Sequence, residues 1–184
     1  MTQEGLNKLK IELSVKAKNG LDFILSATVI WCAITIIWTL DFTSYSKSVF
    51  TFMLSGLMVP LAFGFSKLIK SQWKLANNPL QPLGLWLNLA QLFYFPFLIL
   101  IITNIPDYFL FGYVVITGAH FFPYAWYYKE SGFAVLGGII SFGSLFLTLC
   151  LAPEHQYWIG VYMVFCLLIL ALRLYTSYQK RKNY

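Results

Sequence analysis

Charge is scarce in this chain: only 11% of its 184 residues are charged, and just seven are acidic. Asp22, Asp41, Asp107 and Glu154 all sit near the ends of apolar runs rather than inside them. This leaves out the paired intramembrane acids of an aspartyl mechanism and the buried carboxylate that couples a transporter to protons or sodium. Histidine is scarcer still, with two residues. His120 lies within an apolar run and His155 in a short polar stretch far from it in depth, with no HExxH spacing, so a membrane metalloprotease centre is excluded. The cysteines, Cys32, Cys150 and Cys166, show no CxxC or CxxH spacing and read as packing residues, silent on redox compartment. No GxSxG turn occurs, and no small-residue cleavage site follows the first apolar run, so an uncleaved first span is expected rather than a signal peptide. No hydrolase, metal or nucleotide constellation is visible, and no cofactor is implied.

What is abundant is apolar surface. Hydrophobic residues make up 59% of the chain and aromatic residues 19%, more than a soluble domain of this size could hide. They come in continuous runs of about twenty, the length that crosses a hydrocarbon core roughly 30 Å thick. A backbone in lipid must satisfy its own hydrogen bonds, and continuous rather than alternating runs select helices over a barrel. The expected fold is an all-α polytopic membrane bundle with six transmembrane helices, at about 21–40, 48–69, 83–103, 105–128, 132–151 and 156–175. Residues 21–176 form this domain. Residues 1–20 precede it as a cytoplasmic or interfacial segment, and residues 177–184 follow as a basic cytoplasmic tail.

Within residues 1–20, Leu6, Leu9 and Leu13 recur at helical spacing, with Glu4 to Lys8 and Glu12 to Lys16 as i,i+4 pairs. An amphipathic helix on the membrane surface and a solvated helical tail both fit. Asn19-Gly20 breaks the pattern before the first span. Twelve of the thirteen lysines and arginines fall on one side of the expected spans, Lys47 being the exception. By the positive-inside rule both termini are cytoplasmic, in a multi-pass protein of the cell membrane, and topology rather than nucleic-acid binding explains the net charge. The expected partners are membrane lipids, with a homo-oligomer or a partner membrane protein left open.

Chemistry concentrates in the fourth span. Tyr113, Thr117, His120, Tyr124 and Tyr127 recur at spacings of four and three, a polar stripe on one helix face. Pro123 cannot donate to the carbonyl of Ala119, so a kink is expected beside His120. Gly84, Asn88 and Gln91 make a second stripe in the third span. Asn88 and His120 fall at similar depth, slightly to the cytoplasmic side of centre, and a short turn between the two spans favours their pairing. His120, Asn88, Gln91, Thr117, Tyr124 and Tyr113 are therefore the candidate ligand-binding residues. The alternative is that the same groups only hydrogen-bond within the bundle. Ala134, Gly137, Ser141, Ser144 and Thr148 in the fifth span read as a close-packing seam, and Gly56, Pro60 and Gly64 as a similar seam with a kink.

The stretches Asn78-Pro79-Leu80 and Ala119-His120-Phe121-Phe122-Pro123-Tyr124-Ala125-Trp126 resemble those of a family of small bacterial integral membrane proteins catalogued as a domain of unknown function. The resemblance implies a bacterial cytoplasmic membrane and supplies no catalytic residues. Two readings stand from the sequence: binding or transport of a small ligand or lipid head group at the intramembrane polar site around His120, or a non-catalytic structural or accessory subunit of a membrane complex.

Overall fold

The computed structural model describes residues 2–182. Among them the chain forms nine α-helices joined by short loops and 3₁₀ turns, with no strand. α1 (Gln3–Lys16) starts on Thr2, whose hydroxyl accepts from the N–H of Gly5 at 3.2 Å. Both expected ion pairs form on it, Lys8–Glu4 at 2.8 Å and Lys16–Glu12 at 2.6 Å. Its inner face is partly polar, because Lys10 and Ser14 are buried beside Leu13.

The break after α1 is a left-handed turn. Lys18, Asn19 and Gly20 have φ of 49°, 55° and 71°. At Gly20 only glycine fits, since a Cβ there would stand 3.2 Å from the ring of Tyr128. Asn19 is fully buried and is held by three hydrogen bonds: its Oδ1 accepts from Ser14 at 2.5 Å and from Arg181 at 3.4 Å, and its Nδ2 donates to the carbonyl of Leu174 at 3.1 Å.

α2 (Leu21–Thr39) is the central helix, burying Ile24, Ala27, Ile30, Trp31, Ile34 and Trp38. The next crossing is divided into α3 (Ser44–Ser55) and α4 (Met58–Ile69), bent by 42°. Pro60 explains the place of the bend: it has no N–H for the carbonyl of Gly56, where the first helix stops. The third crossing is also divided, into α5 (Gln81–Ala90) and α6 (Phe95–Asn104), by a 3₁₀ segment at Gln91–Tyr94. Pro96 removes the bond to Leu92 in that segment. In contrast, α7 (Phe109–Tyr127) remains helical through Pro123.

α8 (Gly132–Cys150) and α9 (Tyr157–Lys182) complete the bundle. α9 continues as helix through residues 177–182, which the sequence suggested were a tail; the tail's last two residues lie outside the described residues. Counting the bent pair α3 and α4 as one, six helices are long and apolar enough to cross a membrane; counting only unbent helices, five are.

Packing is uneven around the bundle. α7 with α8 and α2 with α9 make the most extensive contacts; α8 with α9 links the two pairs, and α4 packs on α2. The seam expected in α8 forms against α7, where a Cβ on Gly137 would lie 2.6 Å from the carbonyl oxygen of Gly118 and one on Gly118 would lie 2.7 Å from the Ser141 hydroxyl. Ser144 is buried on the same face. The crossing formed by α5 and α6 is the loose one; α5 buries no residue completely. Of the cysteines only Cys166 is packed, while Cys32 and Cys150 are exposed on the bundle surface.

The Gly137 contact is with backbone, which cannot swing aside. Gly137→Leu is expected to lower stability in detergent by about 1–3 kcal/mol. A Cβ on neighbouring Gly138 meets nothing within 4 Å, so Gly138→Leu is expected to be close to wild type. Thermal unfolding of both variants tests the seam, and equal losses would refute it.

Candidate functional site

The polar stripe of α7 divides by depth into parts with different neighbours. Tyr113 is buried and stacks on Trp31 of α2 with ring centroids 5.3 Å apart and on Phe109 at 6.0 Å. Thr117 is buried too, and its hydroxyl donates to the carbonyl of Tyr113 at 2.8 Å. These two residues serve the contact of α7 with its own backbone and with α2.

His120 is half-buried and meets the ring of Tyr124 edge-on, with centroids 5.2 Å apart. Tyr124 is buried in an aromatic cluster, stacked on Tyr128 at 6.0 Å and tilted against Phe133 at 5.8 Å. Its hydroxyl is buried and has no hydrogen-bond partner among the described residues. A buried hydroxyl left unpaired costs on the order of 1–3 kcal/mol, and unpaired groups of this kind are uncommon in folded proteins.

α5 meets α7 one turn further along. Tyr127 donates its hydroxyl to the carbonyl of Gln81 at 3.4 Å, and a Cβ on Gly84 would lie 2.7 Å from the same oxygen, so a larger residue there would displace the tyrosine. The Asn88 amide turns back onto its own helix, donating to the carbonyl of Gly84 at 3.0 Å. Gln91 is half-buried at the start of the 3₁₀ segment, which approaches α7. The structure thus brings the two helices together and pairs His120 with Tyr124; no hydrogen bond joins His120 to Asn88 or Gln91 among the described residues.

A second constellation lies where both ends of the described chain meet, and sequence reasoning missed it. Glu130, in the turn between α7 and α8, is buried: its side chain is 2% exposed. Oε1 accepts from Arg173 Nε at 3.0 Å and from the N–H of Gly132 at 3.2 Å; Oε2 accepts from the Ser177 hydroxyl and from Arg181 at 3.4 Å. Burial pushes this carboxyl up, but the donors of Ser177, Gly132 and Arg173 outweigh it and hold the group below the usual carboxylate range.

Arg181 also ties α1 to the α7–α8 turn. It donates to Ser14 of α1 at 2.5 Å and to the carbonyls of Tyr128 at 2.9 Å and Lys129 at 2.5 Å. The spacing of Arg173, Ser177 and Arg181, four residues apart on one face of α9, was the available signal. Nearby, buried Asp22 accepts from Ser71 at 2.7 Å and from the Trp73 indole at 2.5 Å, which fixes the loop after α4. Asn78 donates to Glu12 at 2.9 Å and to the carbonyl of Leu9 at 3.0 Å, and Lys10 places its ammonium 3.3 Å from the ring centroid of Trp126. Among the described residues no group of three or more His, Cys, Asp or Glu side chains could hold a metal ion.

A family model of proteins of unknown function matches residues 6–177. The chain belongs to this family, DUF7010. The match includes the polar stripe of α7 and Glu130, Arg173 and Ser177, whereas Arg181 lies beyond it. No curated protein and no solved structure matches the chain significantly.

The Glu130 cluster should be visible in a pH series. A carboxylate whose folded pKa is depressed contributes its full stability above its unfolded value, near 4.5, and loses it as pH falls through the folded value. Glu130→Gln is expected to cost about 2–4 kcal/mol at neutral pH, by leaving the arginines facing a neutral partner. The gap from wild type should narrow below about pH 4 as the wild-type carboxylate protonates. Thermal midpoints of both proteins across this range check it; a gap independent of pH would show that packing, not charge, is what Glu130 supplies.

Proposed function

We propose that this chain is a six-span integral protein of the bacterial cytoplasmic membrane, with both termini on the cytoplasmic side, that binds or passes a small ligand or lipid head group at the intramembrane polar face around His120. Support for the orientation comes from charge: the end of the bundle that carries both termini holds twelve of the thirteen lysines and arginines. One observation carries the site, namely the buried Tyr124 hydroxyl without a partner beside the half-buried imidazole of His120.

A neutral imidazole offers one donor and one acceptor, and the tyrosine hydroxyl offers both. Together they suit a small polar group such as a hydroxyl, amide or ester carbonyl. Access is from the side of the crossing formed by α5 and α6, where packing is thin and the Gln91–Tyr94 segment lacks regular helical bonding. That same thinly packed crossing, with Trp86 and Phe93 exposed, favours a second reading in which it docks a membrane partner and His120 serves structure.

Two experiments test these readings. In a background with Cys32, Cys150 and Cys166 replaced, cysteines introduced at the exposed positions Asn77 and Glu154 should react with an impermeant reagent from opposite sides of a sealed membrane, Asn77 from the cytoplasm. Labelling of both from one side would sink the six-span topology. Native mass spectrometry of the detergent-purified protein should then show a discrete bound mass that Tyr124→Phe weakens and His120→Ala removes while both variants stay folded. Protein free of any small ligand in all three samples, or carrying another polypeptide, would move the assignment to the accessory reading.

A further inference from the structure

At the end of the bundle carrying both termini, twelve cationic side chains stand against four carboxylates, Glu4, Glu12, Asp22 and Glu130. Each of those carboxylates is already committed: Glu4 to Lys8, Glu12 to Lys16 and Asn78, Asp22 to Ser71 and Trp73, and Glu130 to Arg173, Ser177 and Arg181. The remaining cations need counter-charge from outside the described residues. They are dispersed over α1, α4, α9 and the loops. Lys180 stands apart, because it shares one cavity on α9 with Arg173 and Arg181.

That cavity, about 150 Å³, is lined by Arg173, Thr176, Ser177, Lys180 and Arg181. The Arg173 side chain is 56% exposed and spends only its Nε on Glu130; the two terminal nitrogens of its guanidinium make no hydrogen bond among the described residues. Lys180 is seven residues further along and forms no ion pair among the described residues. Side chains on a helix lean toward its N-terminus, which brings the Lys180 ammonium back toward the level of Ser177 and Arg173. A fork of two guanidinium nitrogens with an ammonium beside it matches the oxygens of a phosphate. The buried Glu130 carboxylate is not among the residues that line the cavity, and its bond to Nε restrains the Arg173 guanidinium.

We propose that the groove of α9 between Arg173, Ser177 and Lys180 binds the phosphate of an anionic phospholipid head group. This rests on the membrane orientation proposed above, which sets the groove at the inner interface where α9 leaves the hydrocarbon. It does not depend on the His120 site. A cation at such a surface strengthens anionic lipid binding by about fivefold, so removal of both is expected to cost about twentyfold.

The test reconstitutes full-length protein in phosphatidylcholine nanodiscs containing a minor fraction of phosphatidylglycerol and measures, by native mass spectrometry after release, which lipid stays bound. Wild type should retain phosphatidylglycerol preferentially. Lys180→Gln, which breaks no hydrogen bond or ion pair among the described residues, should lose severalfold, and the Arg173→Gln/Lys180→Gln double variant about twentyfold in relative retention. A Lys70→Gln/Lys74→Gln variant, with two charges removed from the same end, should retain lipid as wild type does. No preference for the anionic lipid, or an equal loss in the control, would overturn the proposal. Inorganic phosphate added to discs of phosphatidylcholine alone separates the sources: a thermal shift in wild type but not in the double variant, without lipid retention, keeps the phosphate site and assigns it a soluble ligand. Failure of the chain to enter the discs would overturn the membrane reading together with this one.

Discussion

A carboxylate taken out of water must be surrounded by donors, and that requirement decides how the two ends of this chain are arranged. Glu130 and Asp22 are both buried. Each takes one bond from a neighbouring backbone N–H, Gly132 or Phe23, and the rest from groups remote in sequence: Glu130 from three residues of α9, and Asp22 from the loop that follows α4. Because removal of one partner from a buried ion pair strands the other, these contacts act as all-or-none clasps. Arg181 widens the clasp, since it binds α1, the turn after α7 and Glu130 at once. The result is that α1 is docked by side chains and not merely adsorbed beside the bundle.

The bundle away from this end is organised by shape. Gly118 and Gly137 let α7 and α8 approach to backbone contact, which in lipid replaces the hydrophobic drive that water would supply. α2 and α9 pack against this pair through large side chains such as Trp31, Met163 and Leu167. On the opposite flank α5 and α6 lack small-residue seams and carry a 3₁₀ interruption, so fewer contacts resist their displacement. Local openings are drawn from elements with few buried contacts, and here that element borders the face that carries His120.

The sequence was legible where the physics is local or periodic. Run length sufficed for the long apolar helices, i,i+4 spacing for the ion pairs of α1, and small-residue spacing for the α8 seam. Proline was informative about interruption but not about where it would occur: Pro60 and Pro96 coincide with breaks, while α7 runs through Pro123 in a dense aromatic cluster. The extent of α9 was underestimated because polar residues at 177–182 end an apolar run without ending a helix, and Arg181 anchors that last turn. Least legible was the Glu130 cluster. Its members come from α1, the α7–α8 turn and α9, and no spacing within one segment announces a partner 43 or 51 residues away. The candidate face was half legible: periodicity grouped the stripe of α7, but the direction of the Asn88 amide, back to Gly84, depended on which acceptor lay nearest in three dimensions.

The two polar regions are joined by a column of rings. His120 meets Tyr124, Tyr124 stacks on Tyr128, and the Tyr128 carbonyl accepts from Arg181. Tyr128 is itself confined, with Gly20 against one side and Phe133 stacked at 5.9 Å. One wall of the His120 face is therefore braced by the buried charges at the end of the bundle, and a stacked, close-packed wall of this kind moves only in discrete rearrangements. The facing wall, α5 and the 3₁₀ segment, has no comparable brace. On the reading proposed above, a group entering beside His120 would displace α5 and α6 more readily than α7. Such an arrangement suits a site with one rigid side that defines the ligand's hydrogen bonds and one yielding side that admits it.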